Sequence, residues 1–167
     1  MKNKTEKIER EIKIWVMIFM AGLFLSGITA FPIETELKWL MKFSNYLPIS
    51  IAAFLQMVCN AVIETNLHYP FLAYGCDWLA FAHVMLTILF IGVYRNPVKN
   101  IWIIEFGMIA CICVFPLTFI CGHIRHIPFY WQLIDCSFGV FGILPLLIVH
   151  KKIKQLEISL SIINSNK

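Results

Sequence analysis

The stretch that decides the fold runs from Tyr69 to Tyr94 and reads YPFLAYGCDWLAFAHVMLTILFIGVY. Its length and apolar character predict a helix that crosses a lipid bilayer, since about 20 apolar residues are needed to span a hydrocarbon core of about 30 Å. Asp77 and His83 lie inside this stretch. Ionisable side chains are costly in the bilayer and usually serve a function there. The same stretch therefore predicts both a membrane span and a candidate site.

The composition of the whole chain favours a membrane protein. Of its 167 residues 59% are hydrophobic and 14% are charged, against about half and about a quarter in soluble globular domains. No run of Lys and Arg is interleaved with solvent-facing aromatic residues, so we expect no nucleic-acid partner. We predict an all-α integral membrane protein with a single membrane domain, residues 1–167, whose first partner is the lipid bilayer.

Four apolar segments have the length of a span, at residues 14–31, 71–94, 101–121 and 129–149. Short turns join the last three, which predicts a four-helix antiparallel bundle. In the first span, Gly22, Ser26 and Ala30 recur every four residues, and such a stripe of small residues favours close helix packing. We expect the polar residues before this span to form a solvated helical lead-in, and the polar tail after the last span to be frayed.

Two further segments lie between the first and second spans. In residues 34–44, Leu37 and Leu40 share one helical face and Lys42 lies on another, which is typical of an amphipathic helix at the membrane surface. In residues 48–66, Gln56, Asn60 and Glu64 would form a polar line along an otherwise apolar helix. This second segment could be a fifth span, a re-entrant helix or a surface helix.

The distribution of basic residues decides among these alternatives. With four spans, the two termini and the turn at 95–99 share one side, which then holds 11 of the 14 Lys and Arg residues. A fifth span at 48–66 would divide them six and eight. Because cytoplasmic segments collect Lys and Arg, the count favours four spans with both termini cytoplasmic and 48–66 on the outer side. We expect a cell membrane location, in a bacterial plasma membrane.

The strongest candidate site residues are Asp77 and Asp135. Each lies about six residues inside its predicted span from the outer end, which corresponds to a depth of roughly 9 Å. Each shares a helical face with small residues, such as Ala80 and Gly139, and such faces point at other helices. Two carboxyl groups in a bundle could form a proton-handling pair or a structural hydrogen-bonded pair.

Several residues are predicted to accompany these carboxyl groups. Arg125 is the only Lys or Arg of the outer turn at 122–128, so it is the expected counter-ion of Asp135 or Asp77, although it could also extend to lipid phosphates. The other candidate neighbours are Glu34, Glu36, Glu64, His123 and His126. The two histidines have a spacing that suits a metal, but no third ligand follows at a fixed spacing, so we predict no metal site.

His83 lies near the middle of its span, and we expect a neutral ring bonded to a backbone carbonyl or to Thr118. No second histidine occurs at a matching depth for haem, and no cofactor is predicted. Of the six cysteines, Cys111 and Cys113 would lie in mid-membrane as small hydrophobic residues. The other four, at positions 59, 76, 121 and 136, could form disulfides if their side of the membrane is oxidising.

No sequence motif names a reaction. The chain lacks a Walker loop, GxGxxG, HExxH, CxxC and a nucleophile elbow. The best hypothesis is binding or transport of a small ligand, an ion or a proton through an outward-facing acidic pocket built from Asp77, Asp135, Arg125, Glu64 and His83. The alternatives are a membrane-embedded acid/base enzyme acting on a lipid-like substrate, and a structural or assembly subunit with a membrane partner or a second copy of the chain.

Overall fold

The computed structural model describes residues 2–165, except for the side chains of residues 2, 4, 164 and 165. Its helices are α1 (Lys2–Ala30), α2 (Ile33–Met41), α3 (Ile49–His68), α4 (Pro70–Arg95), α5 (Ile101–Ile124) and α6 (Phe129–Ser165), with a 3₁₀ turn at Ser44–Tyr46. The described residues contain no strand, which confirms the all-α prediction. Three lysines of the basic-residue count, Lys2, Lys4 and Lys167, lie outside the described side chains.

Five of the helices are long and apolar enough to cross a membrane. They are Thr5–Ala30 within α1, Ile49–His68, Pro70–Arg95, Ile101–Ile124 and Phe129–Ile163 within α6. These five helices are those of a multi-pass membrane protein, as the sequence predicts. They include α3, whose 20 residues form a helix of about 30 Å, so its length and composition permit a fifth crossing.

Proline marks the start of four helices. Pro32, Pro48 and Pro128 stand immediately before α2, α3 and α6, and Pro70 is the first residue of α4. Proline suits these positions because it has no N–H to donate and because the residue before it avoids the helical conformation. The helix boundaries therefore follow from the sequence.

The described residues form two compact units. Unit 1 consists of the described residues within Met1–Ala21 and Ile88–Lys167, and unit 2 consists of Gly22–Thr87. The helices α1 and α4 each contribute one part to each unit, whereas α5 and α6 belong to unit 1 and α2 and α3 belong to unit 2.

Unit 1 has a well-buried core near the chain termini. Its almost fully buried large side chains are Ile12, Val16, Val93, Ile103, Ile104, Leu146, Val149, Ile153 and Leu156. The rings of Phe19 and Phe90 lie 4.8 Å apart, between α1 and α4. The Lys13 ammonium lies 5.6 Å from the centre of the Tyr94 ring, and Lys152 of α6 donates a hydrogen bond to the Glu11 carboxylate of α1. These contacts join three helices at one end of unit 1.

The same core corrects the prediction for the two chain ends. The segment before the first span is helical, as expected, but Ile8 and Ile12 are buried rather than solvated. The predicted frayed tail is wrong over the described residues, because α6 continues to Ser165 and buries Ile153 and Leu156. Apolar residues spaced three or four apart give each polar segment one face that packs.

Glycine allows α5 and α6 to approach closely. A Cβ atom built at Gly139 would lie 2.7 Å from the Cys111 carbonyl oxygen, and one built at Gly107 would lie 3.0 Å from a Leu146 methyl group. A larger residue at either position would push the helices apart, so glycine is needed for this packing.

Unit 2 is built around two helix contacts. In the first, α2 packs on α3, where Leu55 and Cys59 are buried. In the second, α1 meets α4 at Gly27, where a built Cβ would lie 3.0 Å from both the Ala80 carbonyl oxygen and His83 Cβ.

The α1–α4 contact corrects the predicted stripe of small residues. A Cβ atom built at Gly22 has no neighbour within 4 Å, and Ser26 is exposed. The packing glycine is Gly27, one position after Ser26. A shift of one residue turns the packing face by about 100° around the helix.

Candidate functional site

Two open cavities contain the candidate carboxyl groups. The first has a volume of about 350 Å³, lies in unit 1 at the turn between α5 and α6, and is lined by Leu117, Thr118, Cys121, Gly122, Arg125, Ile127 and Asp135. It combines apolar walls with one basic and one acidic side chain, and both of these charged residues were predicted from the sequence.

The turn between α5 and α6 is held by hydrogen bonds that also shape the first cavity. The backbone N–H of Arg125 donates to the Cys121 carbonyl at 3.0 Å, and the backbone N–H of Ile127 donates to the Gly122 carbonyl at 2.9 Å. These bonds satisfy carbonyls that the end of α5 would otherwise leave free. The buried Gln132 amide donates to the Ile127 carbonyl at 2.8 Å. Gln132 also packs on Gly122, where a built Cβ would lie 2.6 Å from its Cδ.

Arg125 and Asp135 line the same cavity but do not pair directly. Arg125 is exposed and Asp135 is half-buried. Within the described part of the chain, neither side chain makes an ion pair or a side-chain hydrogen bond. The cavity therefore presents separate positive and negative groups, between which a polar ligand could bind.

The second cavity lies in unit 2 and has a volume of about 220 Å³. It is lined by Phe31, Pro32, Ile33, Glu34, Thr35, Asn66, Ala73, Cys76 and Asp77. Asp77 is half-buried, and its carboxylate has no ion-pair or side-chain hydrogen-bond partner among the described residues. This cavity combines two acids, Glu34 and Asp77, with the neutral polar groups of Thr35 and Asn66.

Glu34 is held in place by two partners. Its carboxylate accepts a hydrogen bond from the Lys38 ammonium, one helical turn further along α2, and another of 2.5 Å from the Asn66 amide of α3. Lys38 first, and Asn66 second, hold the pKa of Glu34 below its ordinary value. The carboxylate thus stays ionised and ties α2 to the end of α3.

Glu64 and His83 lie away from both sets of lining residues. Glu64 is exposed on α3 and lines neither cavity. His83 donates a hydrogen bond of 2.9 Å from Nδ1 to the Leu79 carbonyl oxygen, since a carbonyl oxygen only accepts. The expected bond to a backbone carbonyl is confirmed. The Cβ atom of His83 lies at the Gly27 contact, which makes helix packing the visible role of this residue.

Sequence reasoning missed several lining residues. Asn66 lies on the same helical face as the buried Leu55 and Cys59, and a polar residue on a packing face is a signal that could have been used. Thr118 and Cys121 line the first cavity. The sequence suggests other roles for them, Thr118 as a partner of His83 and Cys121 as a disulfide cysteine, and the cavity follows only from the turn of α5 into α6.

The described residues contain no group of three or more His, Cys, Asp and Glu side chains that could hold a metal ion. The predicted neighbours His123 and His126 are exposed, and His126 has a positive φ of 54°. All six cysteines have free thiols. The geometry therefore directs attention to the two cavities and their carboxyl groups.

The apolar helices are those of a multi-pass membrane protein. Two of these helices carry a carboxyl group that lines a cavity. The chain matches no protein-family model, and no curated protein or solved structure shows significant similarity to it.

Proposed function

We propose that the chain crosses a cell membrane four times, through α1, α4, α5 and α6, with both termini in the cytoplasm. The ion pair between Glu11 and Lys152 supports an even number of crossings. Glu11 precedes the apolar part of α1, and Lys152 follows the apolar part of α6. An odd number of crossings would place these two segments on opposite faces of the membrane, where the pair could not form.

The order of contacts between α1 and α4 supports the same topology. Within unit 1, Lys13 lies by Tyr94 and Phe19 lies by Phe90, so positions increase along one helix as they decrease along the other. A crossing by α3 would make α1 and α4 parallel, whereas this order is antiparallel. The excess of Lys and Arg on the side of the termini supports their cytoplasmic location.

We infer that this membrane protein binds a small polar or cationic ligand through the carboxyl groups of Asp77 and Asp135. The observation that carries this proposal is that each carboxyl group lines a cavity and has no side-chain partner among the described residues. An ionisable group in an apolar helix is costly. An ionisable group with no partner among the described residues is typical of a group that binds or carries something.

Two alternatives remain as proposals. A membrane enzyme could use one carboxyl group as acid and the other as base on a lipid-like substrate, and it would turn over without any ion gradient. An assembly subunit could use the carboxyl groups to hold a partner's helix. Arg125 and Asp135 line one open cavity. This arrangement favours a ligand over a structural ion pair within the chain, because a structural ion pair requires the two side chains to be in contact.

The test uses Asp77→Asn and Asp135→Asn in purified protein in detergent, from about pH 5 to about pH 9. If the carboxyl groups serve a ligand, the variants unfold at the same temperature as the wild type or above it, because a costly group has been removed without breaking a bond. Lower unfolding temperatures for both variants would instead support the assembly alternative.

Binding is measured on the same proteins with tetraphenylphosphonium, a lipophilic cation, as the probe. We expect the wild type to bind it at both cavities and each Asn variant to lose the binding at the cavity that its own carboxyl group lines. Glu64→Gln is the matched control, since Glu64 is exposed and lines neither cavity. Equal binding by all four proteins would contradict the carboxyl sites.

A further inference from the structure

The segment from α2 to α3 carries a row of exposed apolar side chains that the two cavities do not use. Its exposed aromatic side chains are Trp39 at 60%, Phe43 at 44% and Tyr46 at 86%. The rings of Trp39 and Phe43 lie 5.0 Å apart. Together these three residues form what we call the aromatic edge. Trp and Tyr prefer the boundary between lipid headgroups and acyl chains.

The two ends of this segment are held close to membrane spans. Only two residues separate the end of α1 from Ile33, and only Tyr69 separates His68 from the start of α4. The nine residues of α2 form a helix of about 14 Å, which is less than half of the hydrocarbon thickness. Because α2 cannot cross the membrane, it must lie near the surface at which α1 ends.

The orientation of α3 rests on the four-span topology proposed above. In that topology α3 begins and ends on the same side of the membrane. Its polar line is exposed, with the Gln56 amide donating to the Asn60 side-chain oxygen at 2.9 Å, and Glu64 is exposed one turn further. Ala61 is also exposed and lies about 100° around the helix from Asn60. A helix lying in the membrane plane can turn the polar line to water and the face of Ala61 to lipid.

We propose that α2 and α3 lie together in the headgroup layer of one leaflet, with the aromatic edge inserted among the phospholipids. The partner is the phospholipid leaflet itself. The Lys38 ammonium is paired with Glu34, whereas Lys42 is exposed at the end of α2 and has no ion-pair partner in the described part of the chain. Lys42 can therefore extend to a lipid phosphate.

The first test measures the depth of nitroxide labels along α3 in full-length protein reconstituted in phosphatidylcholine vesicles. Labels are attached to single cysteines at Ala53, Asn60 and Glu64 on the polar side and at Val58, Ala61 and Thr65 on the neighbouring face. The exposed cysteines 76, 113 and 121 are first replaced by serine. Collisions with oxygen report contact with lipid, and collisions with a water-soluble nickel chelate report contact with water. The cysteine-replaced protein must unfold at the wild-type temperature before any label is added.

The expected profile has the period of a helix, with the label at Ala61 in lipid and the label at Asn60 in water. A profile that deepens to the middle of α3 and becomes shallow again at the far end would show that α3 crosses the membrane. That result would overturn both this inference and the four-span topology. If every label is accessible to water, the inference fails and the topology stands.

The second test isolates the fluorescence of Trp39 as the difference between the wild type and Trp39→Phe. We expect this difference to be quenched by phospholipids brominated near the headgroup and to be little affected by acrylamide in the water. Gln56→Trp is the reference for the water-facing side, and its added fluorescence should respond in the opposite way. Quenching of Trp39 by acrylamide, with no effect of brominated lipid, would overturn the proposal.

Discussion

Unit 1 and unit 2 bury their side chains to very different extents. Unit 1 contains all nine of the large side chains that are almost fully buried, and its helices are joined by the Glu11–Lys152 pair and the Lys13–Tyr94 contact. In unit 2 the buried apolar side chains are Leu55, Cys59 and Ala80. The difference indicates that contacts within the chain stabilise unit 1 more than unit 2.

The largest effect is expected in the core of unit 1, at the end beyond the predicted span of α6. Ile153 is fully buried, so Ile153→Ala should lower the free energy of unfolding by about 2–5 kcal/mol, through lost burial and the cavity that remains. Ile158 lies on the same helix and is 60% exposed, so Ile158→Ala should have little effect. Thermal or denaturant unfolding in detergent gives the free energy of unfolding of both variants. Equal losses for Ile153→Ala and Ile158→Ala would contradict a packed core near the termini.

The next effect concerns the helix contact in unit 2. Gly27→Ala places a Cβ against the Ala80 carbonyl oxygen and His83, and overpacking of this kind costs about 1–3 kcal/mol. Gly22→Ala is the matched control on the same helix, because a Cβ at Gly22 meets open space. Alanine should be neutral there or stabilise by about 0.5–1 kcal/mol. Gly27→Ala should therefore lower the unfolding temperature, whereas Gly22→Ala should leave it unchanged or raise it.

If Gly22→Ala lowers the unfolding temperature more than Gly27→Ala does, the predicted stripe of small residues is the packing face after all. The four-residue repeat of Gly22, Ser26 and Ala30 indicates a face where helices can approach, but several such faces coexist on one helix. Which face is used depends on the position of α4, and the sequence of α1 does not contain that information.

The sequence predicted the helices well because their boundaries depend on local chemistry. Long apolar runs and the prolines at positions 32, 48, 70 and 128 locate the starts of α2, α3, α4 and α6 within a few residues. The packed chain ends differ from the prediction because the charged residues of these segments indicate solvation, although one face of each segment is apolar. Ile8 with Ile12, and Ile153 with Leu156, have the helical spacing of a buried face, so the information was present in the sequence.

The candidate site was predictable only residue by residue. The sequence identifies Asp77 and Asp135 because ionisable groups stand out in apolar runs. It predicts Arg125 beside Asp135, and the two line one cavity. It does not reveal that Asp77 lines a different cavity, with Glu34 and Asn66. These groupings depend on how helices turn and pack, which involves residues far apart in the chain.

A smaller effect is expected for the polar contact between α1 and α6 in unit 1. Glu11 and Lys152 are both partly exposed, and such pairs contribute little to stability because water screens them. Glu11→Gln and Lys152→Met should each lower the unfolding temperature slightly, by much less than Ile153→Ala. The double variant should lose less than the sum of the single losses, since the two residues contact each other. Additive losses would show that the pair does not form in solution.

The smallest effect is expected from the hydrogen bonds that Glu34 accepts in unit 2 from Lys38 and Asn66. The pKa of Glu34 is lowered, first by Lys38 and then by Asn66, so the ionised carboxylate stabilises the folded state. The stabilisation by ionised Glu34 is therefore fully present above its ordinary pKa of 4.5. It is lost as the pH falls through the lower pKa that Glu34 has in the folded state. Glu34→Gln should therefore reduce the unfolding temperature at neutral pH and make progressively less difference below pH 4.5. Glu36→Gln is the control, because Glu36 is exposed on the same helix and should leave the pH profile unchanged. If the difference between the wild type and Glu34→Gln stays constant over this range, the bond between α2 and α3 does not depend on the charge of Glu34.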